Sequence, residues 1–267
     1  MTLQALIWDV DGTLAETEDD GHRVAFNRAF AEAGLAWRWS TDTYRELLAV
    51  TGGKERLLAW WRRVDPDGAN GPPVAPLIRR LHERKTAHYL ALLAGGAIGL
   101  RPGVAALLEA ARQQGLRQAI ATTTTPDNVT RLIDVTLGPD GHSLFEVIGA
   151  GDVVPAKKPA PDIYRWVLAR LALAPADCLA IEDSAAGVAA ARAAGLPVLL
   201  TRGVYTADEA IQAVLADPTG PGPVLADLDG LGSTKAPARG RVGAQPWAGV
   251  ADLDTVRAWW SARRTDA

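Results

Sequence analysis

Asp9-Val10-Asp11-Gly12-Thr13-Leu14, directly after the apolar run Leu3 to Trp8, is the stretch that decides the fold. Leu6-Ile7-Trp8 reads as a buried strand closed by a turn. It would carry two carboxylates, two residues apart, to its C-terminal end, where Gly12 lets the backbone turn away sharply. Open α/β sheets bind ligands at the carboxyl ends of their strands. Two acids at such a place are costly to desolvate unless a cation or a proton shares the site. On its own, Asp-x-Asp-Gly is equally readable as a capped turn, since both residues are common in turns.

The rest of the chain repeats the pattern. Cys178-Leu179-Ala180-Ile181 leads into Glu182-Asp183-Ser184-Ala185-Ala186-Gly187, a second strand ending in acids, with Ser184 placed as the N-cap of a small-residue helix. Between the two acidic ends, Gln118 to Ala121 runs into Thr122-Thr123-Thr124-Thr125-Pro126, and further on stands Pro155-Ala156-Lys157-Lys158-Pro159-Ala160-Pro161-Asp162. The order is acid pair, hydroxyl, lysine, acid pair. If the strands are parallel neighbours, all four converge at one sheet edge. Carboxylates suit a hard divalent cation, and a hydroxyl and an ammonium suit phosphate oxygens, which together make a phosphoryl-transfer site. Either Lys157 or Lys158 could supply the ammonium.

On these residues the chain resembles the haloacid dehalogenase superfamily of aspartyl-phosphate enzymes. Asp9 to Thr13 is similar to its first motif, Thr122 to the second, Lys158 to the third and Glu182-Asp183 to the fourth. The resemblance runs over roughly residues 3 to 205, and it is closest to the β-phosphoglucomutase-like branch. Within that branch, Glu16-Thr17-Glu18-Asp19-Asp20-Gly21-His22-Arg23-Val24-Ala25-Phe26-Asn27, Thr51-Gly52-Gly53-Lys54-Glu55-Arg56 and Lys158-Pro159-Ala160-Pro161-Asp162-Ile163-Tyr164 resemble the CbbY type, phosphatases of xylulose 1,5-bisphosphate, an inhibitory by-product of Rubisco.

The resemblance implies roles. Asp9 is the expected nucleophile, and Asp11 the acid that protonates the leaving oxygen and then takes a proton from water. Mg²⁺ is the expected cofactor, held by the Asp9 side chain, the Asp11 backbone carbonyl and Asp183, with Glu182 supporting through water. Thr122 is expected to hydrogen-bond a phosphoryl oxygen, and Lys158, the lysine that directly precedes Pro, to offset charge on Asp9. Substrate choice falls to Glu16, His22, Lys54, Arg56 and Lys85, with Thr123 and Thr124 beside them. Asp9 and His22 are one residue further apart than in the mutase pattern. The competing expectations are a β-phosphoglucomutase-like isomerase, a phosphatase of phosphoglycolate or a hexose phosphate, and a degenerate binding module; retention of Asp9, Asp11, Thr122, Lys158 and Asp183 argues against the last.

Composition sets the outer bounds. The 267 residues, 48% of them hydrophobic, are enough for one large domain or two modest ones. The net charge of −3 provides no global basic field for nucleic acid. The single cysteine, Cys178, excludes an intramolecular disulfide. No apolar run is of membrane-spanning length and no basic leader is evident, so the expectation is a cytoplasmic protein with a small phosphorylated sugar as its partner, no membrane and a monomeric state.

The expected fold class is α/β: a Rossmann-like parallel sheet formed by residues 1–15 and 98–267, with a helical cap inserted at 16–97. Helices are expected at His22–Ala33, Tyr44–Val50, Lys54–Arg63 and Val74–Leu93, with a loop at 65–73. Helix and strand then alternate from Val104 to Thr201, which calls for right-handed βαβ crossovers and a sheet covered on both faces. In the extension 206–267, Pro223–Ala226 is expected as an edge strand, Asp227-Leu228-Asp229-Gly230 as a loop despite its likeness to the first motif, 232–246 as a surface loop rich in Gly, Pro and Arg, and Val250–Arg263 as an amphipathic helix.

Overall fold

One sheet organises the chain. The computed structural model describes residues 2–70, 74–207, 211 and 222–263. Its strands are β1 (Ala5–Trp8), β2 (Arg117–Ala121), β3 (Val147–Gly149), β4 (Cys178–Glu182), β5 (Val198–Thr201), β6 (Val224–Leu228), β7 (Ala238–Val242) and β8 (Gln245–Gly249). They lie in the order β3-β2-β1-β4-β5-β6-β7-β8. The first six are parallel, with Ile7 of β1 level with Ala119 of β2 and Ala180 of β4. The order 3-2-1-4-5-6 is that of doubly wound sheets, and its direction reverses between β1 and β4. The crevice above that reversal is where such sheets bind ligands.

Two packed layers cover the sheet. On one face Leu6, Trp8, Ile120, Leu179 and Ile181 pack with α5 (Val104–Gln113), α6 (Pro126–Leu137) and α9 (Leu253–Ala262). On the other, Ala5, Ala119, Ala121 and Ala180 present small side chains to α7 (Asp162–Leu171) and α8 (Ala185–Ala193). Alanine there lets both helices approach closely while β-branched Val198 and the leucines fill the flanks. Trp260 of α9 seals the first layer; it is 2% exposed, and its Nε1 donates to the Cys178 carbonyl at 3.2 Å.

A third cluster is built from α1 (Val24–Glu32), α2 (Thr41–Leu47), α3 (Gly53–Val64) and α4 (Val74–Ala94), all lying between β1 and β2 in the sequence. Its centre is aromatic: the Trp39 ring lies 4.6 Å from Phe26 and 5.0 Å from Phe30, centroid to centroid. The many tryptophans of the composition are thus partly accounted for by a small helical core that needs large side chains to fill it. Tyr205, from the loop after β5, also packs into this cluster.

The structure departs from several expectations in detail. Residues 232–246 do not form a plain surface loop: they supply β7 and part of β8, a hairpin that extends the sheet antiparallel to β6. Burial alternates along β7, with Arg239 and Arg241 less covered than Ala238, and a positive φ of 55° at Gly243 makes the turn. Polar outward positions disguised a strand as loop composition. Accordingly the strand expected at Pro223–Ala226, observed as Val224–Leu228, is not at the edge, and the expected parallel sheet carries an antiparallel hairpin beyond it. Asp227 and Leu228 belong to β6 rather than to a loop, and the Asp227 carboxylate accepts from Arg202 Nε and Nη2 at 2.7 and 2.8 Å. The expected loop at 65–73 contains a short 3-10 turn at Gly68–Asn70, and its residues 71–73 lie outside the described residues. In the extension, 208–210, 212–221 and 264–267 likewise lie outside them. No helix among the described residues is long and apolar enough to cross a membrane.

Trp260→Ala is expected to cost about 3–5 kcal/mol, the range for removing a buried aromatic from a packed core. Val204, 67% exposed, should tolerate Ser within about 0.5 kcal/mol. Urea unfolding of both variants, read as a midpoint shift at unchanged slope, checks the contrast.

Candidate active site

The acids at the end of β1 come first. Asp9 is 7% exposed, its backbone N–H donates to the Ile181 carbonyl at 3.0 Å, and its Oδ1 accepts from Lys158 Nζ at 2.6 Å. The same ammonium donates to the Ala121 carbonyl at 2.8 Å and to Glu182 Oε1 at 2.6 Å. Lys158, not Lys157, therefore occupies the sheet edge. Lys157 faces Asp152 at 3.1 Å and Glu55 at 3.4 Å instead.

Asp9, Glu182 and Asp183 each bring a carboxylate oxygen within 4.8 Å of the others, and all three are buried. Burial pushes the Asp9 carboxyl up to about 8, against the pull of Lys158 and with help from Glu182 and Asp11. Burial also lifts Asp183 well above the usual carboxylate range, and Asp9 and Glu182 add to it. One ammonium does not balance these acids. An all-oxygen set with excess negative charge fits a hard divalent cation such as magnesium. Gly12 is required here: its φ is 80°, and a Cβ would lie 2.2 Å from Asp183 Oδ2. Asp183 is further fixed by Thr206 Oγ1, which donates at 3.2 Å.

Glu182 is not turned toward solvent. It is fully buried, its Oε1 accepts from both Lys158 and Tyr164, and its Oε2 has no hydrogen-bond partner. Gly187 makes the space, since a Cβ there would stand 1.9 Å from Oε2.

Asp11 points the other way. Its Oδ1 accepts from Thr17 Oγ1 at 2.5 Å and lies 3.0 Å from His22 Nε2. The Nδ1 of His22 is 2.9 Å from Lys85 Nζ. With Lys85 donating, His22 carries its proton on Nε2 and donates to Asp11. Burial opposes the Asp11 charge, but His22, Thr17 and Lys85 outweigh it and hold the carboxyl at about 2. Burial also draws Lys85 down to about 8 despite the acids nearby. His22 reaches this position on a π-helical turn, Glu18–Arg23, whose His22 N–H donates to the Thr17 carbonyl. A π turn accommodates one more residue than an α turn.

A cleft runs from this edge beneath the helical block. One part, about 320 Å³, is lined by Asp9, Glu16, Arg56, Thr122, Lys158 and Asp183 among others. A second part shares Asp11, Glu18, Gly52, Arg56 and Thr123 with it and adds Lys54, Lys85, Thr124 and Lys157. Thr122 is buried and its Oγ accepts from the Thr124 N–H at 3.3 Å, which orders the turn; Thr124 Oγ1 in turn accepts from Asn128 at 3.1 Å. The remaining cations already have partners. Lys54 pairs with Asp152 at 2.5 Å, across the cleft. Arg56 is buried and donates to the Leu47 carbonyl at 3.1 Å and to Tyr44 Oη at 3.0 Å. Glu16 pairs with Arg101 Nε at 3.0 Å.

Sequence reasoning missed Arg101. Its guanidinium donates to the carbonyls of Gly12, Thr201, Arg202 and Asp229 and so pins the first motif to the far side of the sheet. Nothing in the sequence around Arg101 announces a carbonyl hub. Glu18, Tyr164 and Thr206 were missed for the same reason: their partners are distant in sequence.

A profile of haloacid dehalogenase-like hydrolases matches residues 3–195. The chain belongs to the haloacid dehalogenase-like hydrolases. Within this hydrolase family it is of the CbbY type. It is 46% identical over 259 residues to a plasmid-encoded CbbY protein of Cupriavidus necator, covering 96% of each chain. It is 54% identical over 206 residues to the CbbY protein of Rhodobacter capsulatus, covering 77% of this chain and 88% of that one. A mutant CbbY from Rhodobacter sphaeroides, solved in complex with xylulose-(1,5)bisphosphate, superimposes with a TM-score of 0.72 at 45% identity, over 79% of this chain and 91% of that one.

Because Asp9 and Asp183 hold protons more tightly than in the unfolded chain, the metal-free protein binds more protons folded than unfolded. Its stability is therefore expected to fall as pH rises from about 4 through about 8. A divalent cation that takes the place of those protons should raise the melting temperature more at about pH 8.5 than at about pH 5.5. Thermal unfolding with Mg²⁺ and with chelator at both pH values checks this; a shift no larger at the higher pH contradicts it.

Proposed function

We propose that the protein is a Mg²⁺-dependent phosphatase that removes a phosphate from a small sugar bisphosphate, xylulose 1,5-bisphosphate first among them, through a phosphoryl group carried on Asp9. The observation that carries this reading is the pairing of Asp9 with Lys158 at the mouth of a cleft whose far part holds further cations. A bisphosphate presents two anionic ends, and such a cleft meets both. The mutant CbbY of Rhodobacter sphaeroides, similar over most of this chain, was solved with that bisphosphate.

In this reading Asp9 attacks phosphorus, and Lys158 limits the charge that builds up on the nucleophile and the transferring group. Asp9 and Asp183, with the Asp11 carbonyl, would hold the magnesium ion, which when bound neutralises phosphate charge. Thr122 offers its hydroxyl, and the Thr123-Thr124 turn its neighbouring groups, to the phosphoryl oxygens. Asp11, held ionised by Thr17 and His22, is poised to take the proton of the attacking water in the second half of the reaction. The proton that Asp11 takes there is the one it gives to the leaving oxygen in the first half of the next turnover, which balances the two halves, and His22 and Thr17 hold the carboxyl in place for both transfers. Residues 16–97 act as the cap: Glu16 and His22 sit on its first linker, and Lys54, Arg56 and Lys85 meet the remote phosphate and sugar hydroxyls. For Lys54 that requires exchanging Asp152 for substrate, a swap between two exposed partners that costs little in water.

Phosphate release with Mg²⁺ across xylulose 1,5-bisphosphate, ribulose 1,5-bisphosphate, β-glucose 1-phosphate, glucose 6-phosphate and phosphoglycolate tests the substrate. The expected kcat/KM for xylulose 1,5-bisphosphate exceeds the others by ~100-fold, about 2.7 kcal/mol of discrimination. Flat, slow hydrolysis of the whole panel contradicts the substrate, and turnover without stoichiometric phosphate release points to a mutase instead. Asp9→Asn should abolish turnover in a folded protein, and Asp11→Asn should lower kcat by ~10²–10⁴-fold; substantial activity in either, with contaminating phosphatase excluded, contradicts the assigned roles.

A further inference from the structure

Tyr164 stands in the first turn of α7, six residues beyond Lys158, and lines neither part of the cleft. Its ring is fully buried and lies 5.2 Å from the Lys158 ammonium. Its hydroxyl donates to Glu182 Oε1, the same oxygen that Lys158 meets at 2.6 Å. Lys158 has three N–H bonds to give, and all three are committed: to Asp9, to the Ala121 carbonyl and to Glu182. Two carboxylates thus compete for one ammonium, and a neutral hydroxyl satisfies part of one of them. Glu182 has no freedom to relieve the competition by turning, because Gly187 and the surrounding wall leave its Oε2 boxed in without a partner. Burial and the Glu182 charge push the Tyr164 phenol well above its usual value, so it remains a donor throughout the working range.

We propose that Tyr164 is a positioning residue for phosphoryl transfer. By sharing Glu182 Oε1 with Lys158 it weakens the hold of Glu182 on the ammonium and keeps Lys158 turned toward Asp9. Without the hydroxyl, Oε1 has Lys158 as its sole donor. Their bond strengthens, and the ammonium shifts from Asp9 and the transferring phosphoryl group toward Glu182. The effect falls on the charged stage of the reaction rather than on sugar recognition, because Tyr164 does not border the cleft.

This inference rests on the phosphatase reading of the same site, and the experiment separates the two. Tyr164→Phe keeps the ring and removes only the hydroxyl; Tyr164→Leu removes both. With Mg²⁺ and the substrate the wild type turns over best, Tyr164→Phe is expected to lower kcat ~10-fold and to leave KM within about twofold. Tyr164→Leu, if it folds, should lose no less. A merely packing role predicts the opposite pattern, with Phe equal to wild type and only Leu impaired. In parallel, calorimetry with Mg²⁺ and inorganic phosphate needs no turnover, and Tyr164→Phe should bind phosphate several-fold more weakly. A Tyr164→Phe enzyme with wild-type kcat, or with wild-type phosphate affinity, overturns the role of the hydroxyl. A wild type that hydrolyses nothing on the panel sinks the phosphatase reading, and the phosphate affinities of wild type and Tyr164→Phe then decide the role of Tyr164 by themselves.

Discussion

A single ammonium joins three strand ends. Lys158 Nζ bonds Asp9 after β1, the Ala121 carbonyl at the end of β2 and Glu182 at the end of β4. These are three adjacent strands of the sheet, and their carboxyl ends would otherwise bring buried acids together with nothing between them. Burial alone favours neutralising Lys158, yet Asp9 and Glu182 raise it above its ordinary value. Removing one partner from such a buried set leaves uncompensated charge, which costs far more than an exposed ion pair contributes. The same contact that ties the strand ends together also fixes the nucleophile. Fold and chemistry depend on one side chain.

Around that point the protein separates two carboxylates of similar type. Asp9 and Asp11 are two residues apart, but Asp9 is lifted to about 8 and Asp11 held at about 2. Asp9 is buried and Asp11 half-buried, but their neighbours make the difference. Asp9 shares its ammonium with other acids, whereas Asp11 faces Thr17 and the His22–Lys85 pair. Residues of the helical block thus set the state of an acid that belongs to the sheet. Tyr205 in the aromatic cluster, and Lys54 facing Asp152, bind the same two parts of the chain at other points. Movement of the helical block relative to the sheet would alter Asp11 directly.

Much of this was legible in the sequence because it is local. Apolar runs ending in Asp9-Val10-Asp11-Gly12, Thr122 and Glu182-Asp183 mark the strands and their ends in one reading. The parallel order of the central strands follows once helices separate them. The choice between Lys157 and Lys158 turned on one residue, and the buried position went to the lysine beside Pro159. What was hidden depends on contacts distant in sequence or on weak patterns. β7 escaped because its outward residues are arginines and its turn is glycine. Arg101 escaped because its acceptors are backbone carbonyls, which leave no trace in side-chain chemistry. The second partner of Glu182, Tyr164, escaped because it stands 18 residues away in the sequence. Lys54 and Arg56 were expected, from the resemblance, to meet the substrate, and the fold gives each of them a protein partner as well.

The central claim is that Asp9, held by Lys158, takes the phosphoryl group from the substrate. Borohydride reduces an acyl phosphate to an alcohol, so quenching turnover into borohydride and mapping the peptides tests it most directly. The account predicts that the peptide carrying Asp9 gains the reduced side chain only when substrate and Mg²⁺ are both present. Reduction mapped to another residue, or none at Asp9 while phosphate is being released, would contradict it.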